Sequence, residues 1–141
     1  MKLFIVSLVA LALAACGPAQ DTQLERKLVA ASSSDSIVDL SSIVREKWDH
    51  VCIIAPYTQP ESAKQLTGVD WPGFKRAIPE RDDVNLLVFV KKPEIVRYAE
   101  VERRVDFNPR SVCTPRDSAR FRPHARTAQG AGHFILELAH T

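Results

Sequence analysis

The sequence predicts an α+β fold, an antiparallel sheet of about four to five strands with one or two helices packed on it. Three observations carry that expectation. Leu86-Leu87-Val88-Phe89-Val90 is apolar at every position, as in a central strand covered on both faces. From Ile95 to Phe107, Ala99, Val101, Val105 and Phe107 alternate with Glu100, Glu102, Arg104 and Asp106, so one face is buried and one wet, with Arg103 interrupting. Ahead of both, Ile37, Leu40, Val44 and Trp48 recur at helical spacing.

In chain order, the first element is an export signal. Lys2 supplies a positive charge, and Leu3 to Ala15 is almost unbroken apolar sequence, too short for a comfortable permanent span. It closes on Leu13-Ala14-Ala15-Cys16, which resembles the lipobox of bacterial lipoproteins. The resemblance implies a diacylglycerol thioether on Cys16, cleavage before it, and acylation of the new amine by a fatty acid such as palmitate. Several acyl chains hold a protein stably at a membrane where one does not. The implied location is the cell envelope. Gly17, rather than an aspartate, follows the cysteine, which in a Gram-negative host implies the outer membrane, facing the periplasm.

The domain division follows: 1–15 signal peptide, 16–36 lipidated N-terminus and flexible tether, 37–141 one α+β domain. Removing 15 residues from 141 leaves 126, enough for one domain with a real core. The tether is polar and ends in Ser32-Ser33-Ser34-Asp35-Ser36, with a helical patch over Leu24 to Ala31. Asp35 or Ser36 is placed to cap a helix running to about Lys47. Val51 to Ala55 reads as a buried strand, broken by Pro56. Pro60 opens a short helix through Leu66, and Gly68 ends it. Asp70 to Asp83 reads as a loop in which Trp71 and Phe74 bracket Pro72-Gly73. Those rings serve either as an exposed contact surface or as a cover folded back over the core edge. After the two strands already described, Ala119 to Arg122 fits a short edge strand and His133 to His140 a closing one.

Trp48-Asp49-x-Val51, the apolar run after it, Pro56-Tyr57, a helix and a strand like Leu86 to Val90 resemble a group of small uncharacterised exported bacterial proteins. That resemblance implies an exported domain and carries no catalytic residue.

With Cys16 assigned to lipid, Cys52 and Cys113 remain. Outside the cytoplasm two such cysteines pair. The bridge closes a loop of about sixty residues, worth ~4 kcal/mol in the chain-entropy model. Their spacing is not Cys-x-x-Cys, and no histidine is read as close enough to either to suggest a zinc set or a thiol nucleophile. No metal or cofactor is expected.

Charge is nearly balanced: setting Lys2 aside from 19 basic residues leaves 18 against 17 acidic ones. Nucleic acid is not an expected partner. Arg97 to Arg126 nevertheless holds eight arginines against four acids. Such a face either meets anionic groups through planar guanidinium forks or is a solvated surface paired with its own acids. Arg120 and Arg122, flanking Phe121, join Trp71 and Phe74 as candidate partner contacts. There is no Gly-x-Ser-x-Gly elbow or phosphate-cradling glycine loop, and His50, His124, His133 and His140 lack metal-ligand spacing. The expected function is a non-catalytic, lipid-anchored binding or structural module meeting an envelope protein or glycan. The alternative is a protective inhibitor of a lytic enzyme or toxin, inserting the 70–74 loop. A small hydrolase is a third class, requiring a site assembled in three dimensions.

Overall fold

The computed structural model describes residues 17–140. The predicted signal segment and Cys16 lie outside them. The chain runs β1 (Ala19–Gln20), α1 (Leu24–Ser32), β2 (Val38–Asp39), α2 (Leu40–Ile43), β3 (His50–Ile54), α3 (Pro60–Thr67) and α4 (Phe74–Ala77). It continues as β4 (Val84–Lys91), β5 (Glu94–Glu102), β6 (Val105–Asn108), β7 (Val112–Pro115), β8 (Arg120–Ala125) and β9 (Phe134–Leu138), with 3-10 turns at Arg116–Ser118 and Thr127–Gln129.

The fold class is α+β, as the patterning predicts, but with two sheets instead of one. Five strands pair in the order β1-β5-β4-β3-β7 and four in the order β2-β8-β9-β6. Both sheets are mixed, since β1 runs parallel to β5 and β6 parallel to β9. The predicted long strand from Ile95 to Phe107 is two strands. The chain turns at Arg103-Arg104 and leaves the large sheet for the small one. Alternation continues through that turn, so periodicity alone could not show the change of sheet.

Strand β4 is central, and Val84 through Val90 are all buried. Its side chains, and those of β3, divide between two cores. Val51, Ile53, Leu87 and Phe89 face the small sheet and α1, where they meet Leu28, Phe107, Phe121 and Leu136. Cys52, Ile54, Leu86, Val88 and Val90 face the other way, against Ala63, Val69, Phe74 and Ala77 from α3, α4 and their linker. The large sheet is therefore the middle of three layers.

Two local expectations change. The stripe Leu40, Val44 and Trp48 is buried, yet only Leu40–Ile43 is helical. Its N-cap is Asp39, whose carboxylate accepts the Ser41 N–H at 2.9 Å, and not Asp35 or Ser36. Ser41, Ser42, Ile43 and Val44 are weak helix formers, and Val44 is already extended. By contrast α3 closes as expected on Gly68, at φ 72° in the left-handed region.

The larger change concerns residues 17–36. The sequence reads them as a flexible tether, but β1 adds to the edge of the large sheet, and Leu24 and Leu28 of α1 are both 0 % exposed. Burying each contributes about 1.5–3 kcal/mol. The polar residues of this stretch cover the solvent face of a helix that the core holds.

Candidate functional site

Residues 17–21 form an N-terminal arm whose first two, Gly17 and Pro18, line a cleft. Ala19 and Gln20 pair with Arg97 and Tyr98 of β5, and the Asp21 N–H donates to the Tyr98 carbonyl at 2.8 Å. The Asp21 carboxylate then acts twice. One oxygen accepts the Gln23 N–H at 2.9 Å, and the other takes the Arg97 guanidinium at 2.9 Å. Arg97 Nε also donates to Glu46, so one arginine ties β5, the N-terminal arm and the segment after α2 together. The Glu46 hydrogen bond, with Asp21 adding to it, raises the Arg97 pKa above the ordinary arginine value despite partial burial. Farther along, the Glu25 carboxylate accepts the Glu102 N–H at 2.7 Å.

Beside this arm opens a cleft of about 470 Å³, lined by Gly17, Pro18, Val69, Trp71, Pro93 and Ile95, with Glu46, Asp70 and Glu94 also on its walls. Its aromatic wall is Trp71, which is backed by packing 5.2 Å from Phe74 and 5.0 Å from Tyr98, centroid to centroid. Trp71 is half-buried and Phe74 only 2 % exposed. The indole lies over Gly73, where any Cβ would overlap the ring. The 70–74 segment thus folds its rings back over the core, and Phe74 is a core residue and no contact surface. The segment that the sequence reads as loop also carries the short helix α4. Only Trp71 of the pair remains at a surface.

Cys52 and Cys113 stand directly opposite on β3 and β7 and are joined by a disulfide, with Cα atoms 4.0 Å apart. The reading that no histidine lies near them is corrected. His50 precedes Cys52 by two residues, which on a strand means the same face. One of its ring nitrogens and both sulfurs fall within 4.8 Å of one another. The His-x-Cys spacing was the available signal. With the sulfurs bonded to each other neither is a thiolate for a metal, and the His50 Nε2 stands 3.3 Å from the Thr67 carbonyl oxygen.

The arginines sort into two sets. Arg97, Arg103 and Arg126 lie within ion-pair distance of Asp21, Glu46 or Asp106. Arg116 stacks over Trp48 at 4.7 Å and donates to the Glu46 and Ser41 carbonyls. Among the described residues Arg104, Arg110, Arg120 and Arg122 make no ion pair, and all four are exposed. Arg120 and Arg122 share a face of β8 while Phe121 and Pro123 point into the protein. On that strand the Arg120 carbonyl and the Arg126 N–H bond toward β9, so the odd-numbered backbone groups point to the outer edge. Strand β2 covers only the first two residues of that edge, and Pro123, lacking an N–H, sits where it runs uncovered.

One acid works against the predicted pattern. Asp106, expected on a wet face, is 7 % exposed. Its carboxylate accepts from Asn85 Nδ2 of β4 at 3.0 Å, from the Phe107 N–H at 3.0 Å and from Arg103 at 2.9–3.0 Å. Burial pushes its pKa up, but the hydrogen bonds from Arg103, Phe107 and Asn85 together outweigh it and hold the group below the ordinary aspartate value. This is a polar joint between the two sheets. No protein-family model, no curated protein and no solved structure matches this chain.

Proposed function

We propose that this protein is a lipid-anchored, non-catalytic binding or structural module of the cell envelope. In this reading Cys16 carries the anchor, and an anionic envelope component meets the outer face of the small sheet. The observation that supports it is the sorting of the arginines. Arg97, Arg103, Arg116 and Arg126 are engaged within the fold, whereas Arg120 and Arg122 stand side by side on an exposed strand face and make no ion pair among the described residues; of their register partners, Asp39 holds the Ser41 N–H and Glu137 stands 3.1 Å from His124. Two guanidinium forks at that spacing suit carboxylate or phosphate groups. Trp71, at the cleft, offers a second contact of apolar character.

Crosslinking and affinity capture from intact envelopes tests the reading, comparing the native chain with Arg120→Ser/Arg122→Ser. Both positions are exposed, so folding survives the change. The expected result is one dominant partner, enriched at least about tenfold less by the double variant, a drop of 1.4 kcal/mol in binding. Equal enrichment by both forms would remove the arginine face from the function.

A further inference from the structure

We infer that the anchor on Cys16 holds the domain flush against the bilayer, with the Trp71 cleft turned to the phospholipid headgroups. This rests on the lipoprotein reading above. Its new element is distance. Ala19 is fixed in the sheet by its pairing with Arg97, and Asp21 is fixed by the Arg97 ion pair. Between Cys16 and Ala19 lie only Gly17 and Pro18, so the chain reaches at most ~11 Å from the acylated sulfur-bearing residue to the sheet. The polar zone of one leaflet is itself roughly 5–8 Å deep. Only about 3–6 Å of reach is left beyond that zone, too little for the domain to stand off freely.

The same geometry selects the face. Gly17 and Pro18 are themselves cleft-lining residues, so whatever holds Cys16 at the membrane brings the cleft rim with it. The rim suits that position. Trp71 is half-buried, with an apolar body and a polar N–H, the side-chain type that settles at headgroup depth. Charges of both signs surround it: Asp70 paired with Lys64 at 3.2 Å, Glu94, and the exposed Lys91 and Lys92 at the β4–β5 turn. A mixed rim of this kind matches a zwitterionic headgroup layer, with phosphate and ammonium both to satisfy. A strongly anionic surface would favour lysines alone.

The test uses acylated full-length protein in phosphatidylcholine vesicles carrying a headgroup nitroxide. Native protein is compared with a form bearing about fifteen Gly/Ser residues inserted between Gly17 and Pro18. Flotation with the vesicles and intact mass report anchoring, and quenching of Trp71 fluorescence reports orientation. Trp48, 2 % exposed, remains in both, and a Trp71→Phe protein supplies its signal for subtraction. The expected result is equal flotation, with Trp71 quenching at least about twofold stronger in the native protein than in the extended one. Equal or absent quenching, with flotation intact, would overturn the orientation while leaving the anchor standing. A native protein that neither gains acyl mass nor floats would overturn both.

Discussion

At the scale of single residues, Asp106 shows how a side chain can join two elements that patterning treats as unrelated. Its carboxylate is the only anionic acceptor for Asn85, which is 0 % exposed and whose own carbonyl oxygen has no partner among the described residues. Asp106→Asn keeps the shape and removes the charge, and is expected to cost about 1–3 kcal/mol in chemical denaturation. The pH dependence has a definite sign. Because the folded-state pKa is depressed below 3.8, the stabilisation is fully present above that value and is lost as pH falls through the folded-state pKa. Thermal melts from pH 7 to 2 should therefore show the gap between native and Asp106→Asn narrowing only below about pH 4. Alternation puts Asp106 on a wet face because, applied strictly, it assigns every second residue to solvent. Asp106 escapes that rule because Asn85 of β4 and the side chain of Arg103 close over its carboxylate, with Arg126 within ion-pair distance.

At the scale of elements, the legible parts were those whose neighbours are close in sequence or whose pattern is unbroken. Strand β4 declared itself by being apolar throughout, and α3 by Pro60 and Gly68 at its ends. Helix α1 was legible as a helical patch over Leu24 to Ala31, but its burial was not, because nine residues with three buried positions look the same whether the apolar stripe meets solvent or a core. The partners that decide the matter, on β5, β6 and β9, lie far downstream. Two measurements check the revised view. Leu28→Ala should lower stability by about 2–5 kcal/mol, the range for a fully buried leucine. A chain cut to residues 37–141, the domain boundary expected from sequence, should show a lower midpoint or fail to fold, whereas one beginning at Gly17 should melt cooperatively. A cut chain as stable as the longer one would return 17–36 to the role of tether.

At the scale of the whole molecule, two cores share one sheet, and the disulfide ties β3 to its edge neighbour β7 on the face that packs against α3. The pairing was legible from cysteine count and compartment, since Cys16 was already assigned elsewhere. Its neighbour His50, two residues upstream, is legible too in the His-x-Cys spacing. The bridge spans 61 residues of chain. Replacing both cysteines by alanine should lower stability by roughly 2–4 kcal/mol, read as a shift in denaturation midpoint at unchanged slope. Intact mass should rise by two hydrogen atoms on reduction, as each sulfur becomes a thiol. What stayed hidden was the count of sheets, because the step from β5 to β6 keeps the alternation of side chains while changing the partner strand. Among the described residues no helix is long and apolar enough to cross a membrane.

The ion pair between Asp21 and Arg97 also orders events in time. A growing chain presents its N-terminus first, and 76 residues of it must follow Asp21 before Arg97 exists. Through that interval Leu24 and Leu28 have no sheet to cover them, and their apolar stripe stays open to whatever guards nascent chains. The residues made earliest are among the last to be housed.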